Sequence, residues 1–280
     1  MPTFAASDLS NPCTSFLHAM DWSQPWLAPF RVLGMQLSAA ADWRLALNRV
    51  AQERNIHNYL GLPLNFVAQA ELPAAMAYEA FIGSSGKVPT RDNLHDFLNA
   101  LIWLSFPAIK ARLNALQAAE LARAGTLSGS KPRGAARDAA TIFDENAALL
   151  LVRDNAAGQA LVTALRSHQW TEAFIGQRDV FGEDAEVRLF GHALLEKLVR
   201  PYKAITAHTL VISAPAFYFA LDEDARRDWI DRQIDVDLAQ HGSLVGRLTP
   251  LPVLGIPGWC DGQDRDFYAD SAVFRPKRSI

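Results

Sequence analysis

The chain has 280 residues, half of them hydrophobic and a fifth charged, with a formal net charge of −3. That is globular composition, long enough to bury a sizeable core without staples, and its mildly acidic balance speaks against a nucleic-acid binder. The 2 cysteines, Cys13 and Cys260, form no CxxC pair, so neither a zinc ribbon nor a redox dithiol is indicated, and two lone thiols fit a reducing compartment.

The N-terminus, MPTFAASDLSNPCTSF, lacks a basic region followed by an apolar run, so no signal peptide is expected there. After WSQPWLAPF, a helical pattern runs around Trp43, Leu45, Val50 and Ala51. Residues 73–85 suggest a second helix, with Ala80 and Phe81 facing in. A third covers 92–104 and ends near Pro107, where FPAIKARLNALQAAELARAG starts a fourth that stops at Gly125. Residues 20–124 therefore read as a helical half. The Gly/Ser/basic stretch 125–137, GTLSGSKPRGAAR, is expected to be an exposed, mobile loop.

Beyond it the pattern changes. ATIFDENAALLLV reads as two short strands around a DENA turn, followed by helices at 156–168 and 170–175. VRLF then reads as a strand, GHALLEKLV as a helix, AITAHTLVIS as a strand and 222–240 as a charged helix. The longest apolar stretch, Thr209–Leu221, is broken by Pro215 and falls short of the roughly 20 residues of a membrane helix. The Pro/Gly-rich tail, 246–280, is expected to wrap the body. The expected architecture is α+β: the helical N-terminal half packed on a small α/β-type sheet layer at 138–245, in one integrated domain. The expected location is the cytoplasm, without membrane contact.

The most informative segment is PTRDNLHDFLNALIWLSFPAIKARLN, residues 89–114. At about 100° per residue, Leu94, Phe97, Leu98, Leu101 and Leu104 take one wide side of the helix, and His95, Asp96, Asn99 and Trp103 fall together on the other. So apolar a helix does not leave a polar stripe in open water, and buried polar groups need partners. The stripe is either a structural hydrogen-bond network or the floor of a site. His95 and Asp96 diverge too far to be partners of each other, whereas His95 and Asn99, one turn apart, face the same way. Asp96 needs a cation, and Arg91 and Lys110 are the nearest in sequence.

This segment, together with TIFDENAALL, FGHALLEKL, ITAH and PLPVLGIPGW, resembles an uncharacterised bacterial family, domain of unknown function 3025. The resemblance runs from about Phe66 to Arg278, and it implies no activity, substrate or cofactor.

Three further constellations carry candidate chemistry. His192 and Glu196 lie one turn apart on an inward helical face, with His192 in the first turn, where the helix dipole disfavours imidazolium. HxxxE is a weaker pattern than HExxH. His208 shares a strand face with Leu210 and Ile212, which more often marks a core histidine than a ligand. The short link across Pro201 nevertheless makes the two elements neighbours, so His192, Glu196 and His208 are expected to converge as metal ligands. Asp144-Glu145-Asn146 reads first as turn chemistry and second as a carboxylate pair reaching a cation or serving as an acid.

Absences narrow the field. GTLSGSK departs from a phosphate loop in its glycine spacing and in Pro132, and no GxGxxG follows a strand. No GxSxG elbow, kinase signature or zinc-deaminase signature is present. Whether the chain is an enzyme stays open at this point. The leading reading is a hydrolase using a divalent metal on His192, Glu196 and His208, with His95, Asp96 and Asp144 as catalytic groups. Arg91 and Asn99 would bind a small anionic substrate. The alternative is a non-catalytic binding or scaffold protein whose polar stripe is a core network.

Overall fold

The computed structural model describes residues 12–126 and 134–277. In chain order, α1 (Arg31–Ser38) and α2 (Trp43–Glu53) precede β1 (Asn65–Ala68), α3 (Tyr78–Ser85) and β2 (Lys87–Thr90). Then come α4 (Leu94–Ser105), α5 (Pro107–Thr126) and α6 (Ala135–Asn146), followed by β3 (Ala147–Arg153) and α7 (Ala156–Arg166). The chain finishes with β4 (Ala185–Leu189), α8 (His192–Lys197), β5 (Thr206–Ala214), α9 (Glu223–His241), β6 (Leu248–Pro252) and α10 (Arg265–Ala269).

The α+β expectation holds. The main sheet has the order β4-β3-β5-β6, with β3 parallel to β5 and both edge pairs antiparallel. Its central strand is a continuous apolar run, Ala147–Val152, buried throughout, as a strand covered on both faces must be. A separate parallel pair joins β1 and β2. The Pro/Gly-rich tail supplies the edge strand β6. Among the described residues no helix is long and apolar enough to cross a membrane.

The hairpin expected at TIFDENAALL is not there. Residues 135–146 form α6, and Asp144, Glu145 and Asn146 are its last turn. The reason is local: Ala135, Ala136, Ala139 and Ala140 are strong helix formers, and Ala140 and Phe143 are buried three residues apart on one face. Residues 127–133, most of the expected mobile loop, lie outside the described residues.

α4 is the central helix. Every residue from Asp96 to Ser105 is buried, so it is enclosed on all sides. Its start is fixed twice over. Asn93 caps it by accepting from Asp96 N at 2.8 Å, and Asp96 reaches back to accept from Arg91 N at 2.6 Å. Pro107 then bends the chain into α5, whose first free N–H groups, on Ala108 and Ile109, both donate at 2.9 Å to the carboxylate of Asp231 on α9. α8 packs against α4 and α6, which brings the two halves of the chain together at one place.

Gly191 makes that approach possible. A Cβ there would stand 2.4 Å from Glu145 O, 2.5 Å from Ala147 N and 2.6 Å from Asn146 N, all backbone atoms. Phe190 N and Gly191 N both donate to Ala147 O, at 3.0 and 2.9 Å, locking the start of α8 against the α6–β3 junction.

Candidate functional site

Five helices aim polar side chains at one pocket of about 320 Å³, lined among others by Tyr78, Glu79, Arg91, His95, Asn99, Asp144 and His192. The polar groups form a continuous chain. Asn99 Nδ2 donates to the Tyr78 hydroxyl at 3.1 Å, and Asn99 Oδ1 accepts from Lys110 Nζ at 2.9 Å. Lys110 also donates to Asp144 Oδ1 at 2.5 Å and lies over the Trp103 ring, 5.4 Å from its centroid. His192 Nδ1 is 2.9 Å from the Asp144 carbonyl oxygen. Its Nε2 is 3.2 Å from His95 Nε2, and His95 Nδ1 is 2.7 Å from Glu196 Oε2.

The stripe on α4 is therefore buried and partnered, as expected. Asp96 is 7% exposed and Asn99 9%, whereas His95 stands half-open to the pocket. Asp96 is clamped by Arg91, whose Nε and Nη2 donate at 3.0 and 2.9 Å. That arrangement alters the role expected for Arg91: its fork is committed to a carboxylate rather than held free for an anion. Of the carboxyl groups in the wall, Asp96 is paired with Arg91 and Asp144 with Lys110.

Burial sets the protonation pattern. Burial works against the Asp144 charge, yet the adjoining Lys110 ammonium holds this carboxyl below the usual carboxylate range. Glu79, buried and facing the Asp144 charge, is pushed up, only partly offset by Lys110 and by Asn114, which donates to it at 2.6 Å. Burial drives His192 down to about 4, so its imidazole is neutral near pH 7. Burial likewise lifts the Tyr78 phenol well above its ordinary value.

The metal set expected from sequence does not assemble. His192 and Glu196 do share a neighbourhood, but their common partner is His95 on α4. His208 is exposed on β5, opposite Ala147 and Pro250, and does not line the pocket. The short link across Pro201 does not bring His208 to the pocket: α8 packs on α4 and α6, and β5 on β3, β6 and α6. Among the described residues no group of three or more His, Cys, Asp or Glu side chains is placed to hold a metal ion.

Three pocket residues, Tyr78, Glu79 and Gln117, and Asn114 behind Glu79 carried no usable sequence signal. Tyr78 and Glu79 sit in the first turn of α3, and Asn114 and Gln117 lie on the α5 face turned to it. Nothing periodic separates them from ordinary amphipathic positions. Lys110, expected as a possible cation for Asp96, donates instead to Asn99 and Asp144, and Arg91 holds Asp96.

The fold and the site thus define a mixed α+β protein with a largely buried polar network where five helices meet. A family model, Protein of unknown function (DUF3025), matches residues 64–278, and the chain belongs to that family. Nothing among curated proteins or solved structures matches it.

Proposed function

We propose that the protein is an enzyme that hydrolyses a small polar molecule, with the His95–His192 pair at the reacting centre. One observation carries this reading. Two imidazoles from separate helices are each held at Nδ1, one by Glu196 and one by the Asp144 carbonyl, and their Nε2 atoms meet at 3.2 Å in the pocket wall. An imidazole anchored at one nitrogen presents the other for proton transfer. A water at that point gives its proton to an Nε2, and its oxygen attacks the electrophilic centre of the substrate. The leaving group takes a proton from the pocket, and Glu79, whose carboxyl holds its proton more readily than usual, is the group suited to give it.

The non-catalytic reading keeps one observation in its favour: Asn99, Lys110 and Asp144 satisfy one another in the way a structural network does. Yet a network that only supported the core would not need His95 opened to the pocket beside His192.

The test is to incubate purified protein with a small-molecule extract and follow consumption by mass spectrometry, comparing wild type with His192→Gln and His95→Gln. At least one compound should be consumed by wild type and spared by both folded variants. Equal profiles for all three proteins would remove the enzymatic reading.

A further inference from the structure

Resting on the reading of this pocket as an active site, we propose that its substrate is a small uncharged molecule bearing a carboxamide. Gln117 is the residue that holds the amide, and the Tyr78 hydroxyl is a second donor to its carbonyl oxygen.

Gln117 is the buried polar side chain of the pocket without a protein partner. It lies on α5, is 7% exposed and lines the pocket. Asp96, Asn99 and His192, the other buried polar residues of the wall, are hydrogen-bonded within the protein. Gln117 makes no hydrogen bond to any described residue. An amide so enclosed and unpaired carries a desolvation cost that a ligand's hydrogen bonds remove. Its place is fixed from one turn earlier. Asn114 Nδ2 donates to the Glu79 carboxyl at 2.6 Å and to the Glu79 backbone carbonyl at 2.9 Å, which pins this face of α5 to the first turn of α3.

Tyr78 stands in that same turn. Its oxygen accepts from Asn99 Nδ2 at 3.1 Å, while its own proton has no acceptor among the described residues. Burial keeps the phenol protonated, so its O–H remains a donor.

The charges exclude the alternatives. Arg91 is committed to Asp96, Lys110 to Asp144, and His95 faces Glu196, so no cation of the wall is left without a carboxylate. An anionic ligand would meet no free counter-ion, and Glu145, a wall carboxylate without a partner among the described residues, repels it. An ammonium only donates, so it leaves the Gln117 N–H and the Tyr78 O–H unanswered. A second amide answers the side-by-side N–H and C=O of Gln117 together, where a hydroxyl answers one at a time. The carbonyl's other lone pair takes the Tyr78 O–H. The volume of about 320 Å³ suits a small molecule.

The experiment uses the full chain near pH 7 with probes on one carbon skeleton: butyramide, butyrate, butylammonium and 1-butanol. Binding is read by saturation-transfer NMR and by the shift of the Gln117 side-chain NH₂ signals. Butyramide should bind at least about tenfold more tightly than each of the others, the effect of a buried hydrogen bond left unmade, and should move the Gln117 signals. Gln117→Leu and Gln117→Glu should each weaken it at least about tenfold. The melting temperature of Gln117→Leu should equal or exceed that of wild type, since no protein hydrogen bond is lost. Should either variant misfold, the wild-type probe ranking and the Gln117 shift decide alone. Another probe binding as tightly, unmoved Gln117 signals, or amide binding that survives both variants overturns the proposal. His95→Gln and His192→Gln leave Gln117 in place and should still bind butyramide. If butyramide binds through Gln117 while no extract compound is consumed, the hydrolase reading falls and the amide seat stands. If a compound is consumed through both histidines but bears no carboxamide, or its KM ignores Gln117→Leu, the amide seat falls and the hydrolase reading stands.

Discussion

His95 Nδ1 and Glu196 Oε2 meet at 2.7 Å across 101 residues of chain. The glutamate of the HxxxE turn thus serves the histidine of another helix. Both side chains are more than a third exposed, at 36% and 41%, so the pair is screened and adds little to stability. A double-mutant cycle with His95→Ala and Glu196→Ala, read by urea unfolding, should give a coupling of about 1 kcal/mol or less. A coupling above roughly 2 kcal/mol would mean the contact is structural.

Lys110 and Asp144 are the opposite case. Lys110 is 5% exposed, and its ammonium keeps Asp144 ionised inside the protein. Lys110→Met should cost about 3–5 kcal/mol, because it leaves a buried carboxylate without its cation. The double variant Lys110→Met/Asp144→Asn should recover part of that loss, since the stranded charge is gone. Equal unfolding free energies for the single and double variants would show that Asp144 does not depend on the lysine.

The polar stripe was legible because helical period and burial act together: on so apolar a helix, Asp96 and Asn99 had to be enclosed and partnered. Their partners were only half legible. Arg91 and Lys110 are close in sequence, whereas His192, Glu196 and Tyr78 arrive through packing that no local pattern encodes. The misplaced hairpin has a similar cause. TIFDENAALL joins the end of a helix to a buried strand, and a short apolar run does not by itself tell one from the other. His208 failed for another reason: a short link between two elements does not make them pack together, and His208 stands at an exposed position of β5 while α8 packs on α4 and α6.

Gly191 is a steric requirement of the site. Its backbone is in an ordinary conformation, φ −63°, so an alanine is not strained there. What forbids it is the approach of three backbone atoms within 2.6 Å of the added Cβ. Gly191→Ala should push α8 away from the end of α6 and stretch the bond from His192 Nδ1 to the Asp144 carbonyl. The expected cost is about 1–3 kcal/mol or more, with faster amide exchange at Phe190 and Gly191, whose N–H groups share Ala147 O. Unchanged exchange and stability would mean the two helices separate without strain.

Asp231 gives the protein a pH dependence of unusual sign. Burial raises its carboxyl to about 6 from 3.8, although the Ile109 and Ala108 N–H groups favour the charged form. A folded-state pKa above the unfolded one means that the native protein binds the extra proton between these two values. The group's contribution to stability is therefore full below about pH 3.8 and is lost as the pH rises through about 6. At full swing this amounts to roughly 3 kcal/mol. The amide introduced by Asp231→Asn cannot titrate, so comparing that variant with wild type isolates the effect from other carboxylates. Urea unfolding from about pH 4 to about pH 7 should show the wild-type advantage over Asp231→Asn shrinking by about 2–3 kcal/mol as the pH rises. An advantage that stays constant or grows would place Asp231 at or below an ordinary carboxylate pKa, with its two backbone donors outweighing its burial.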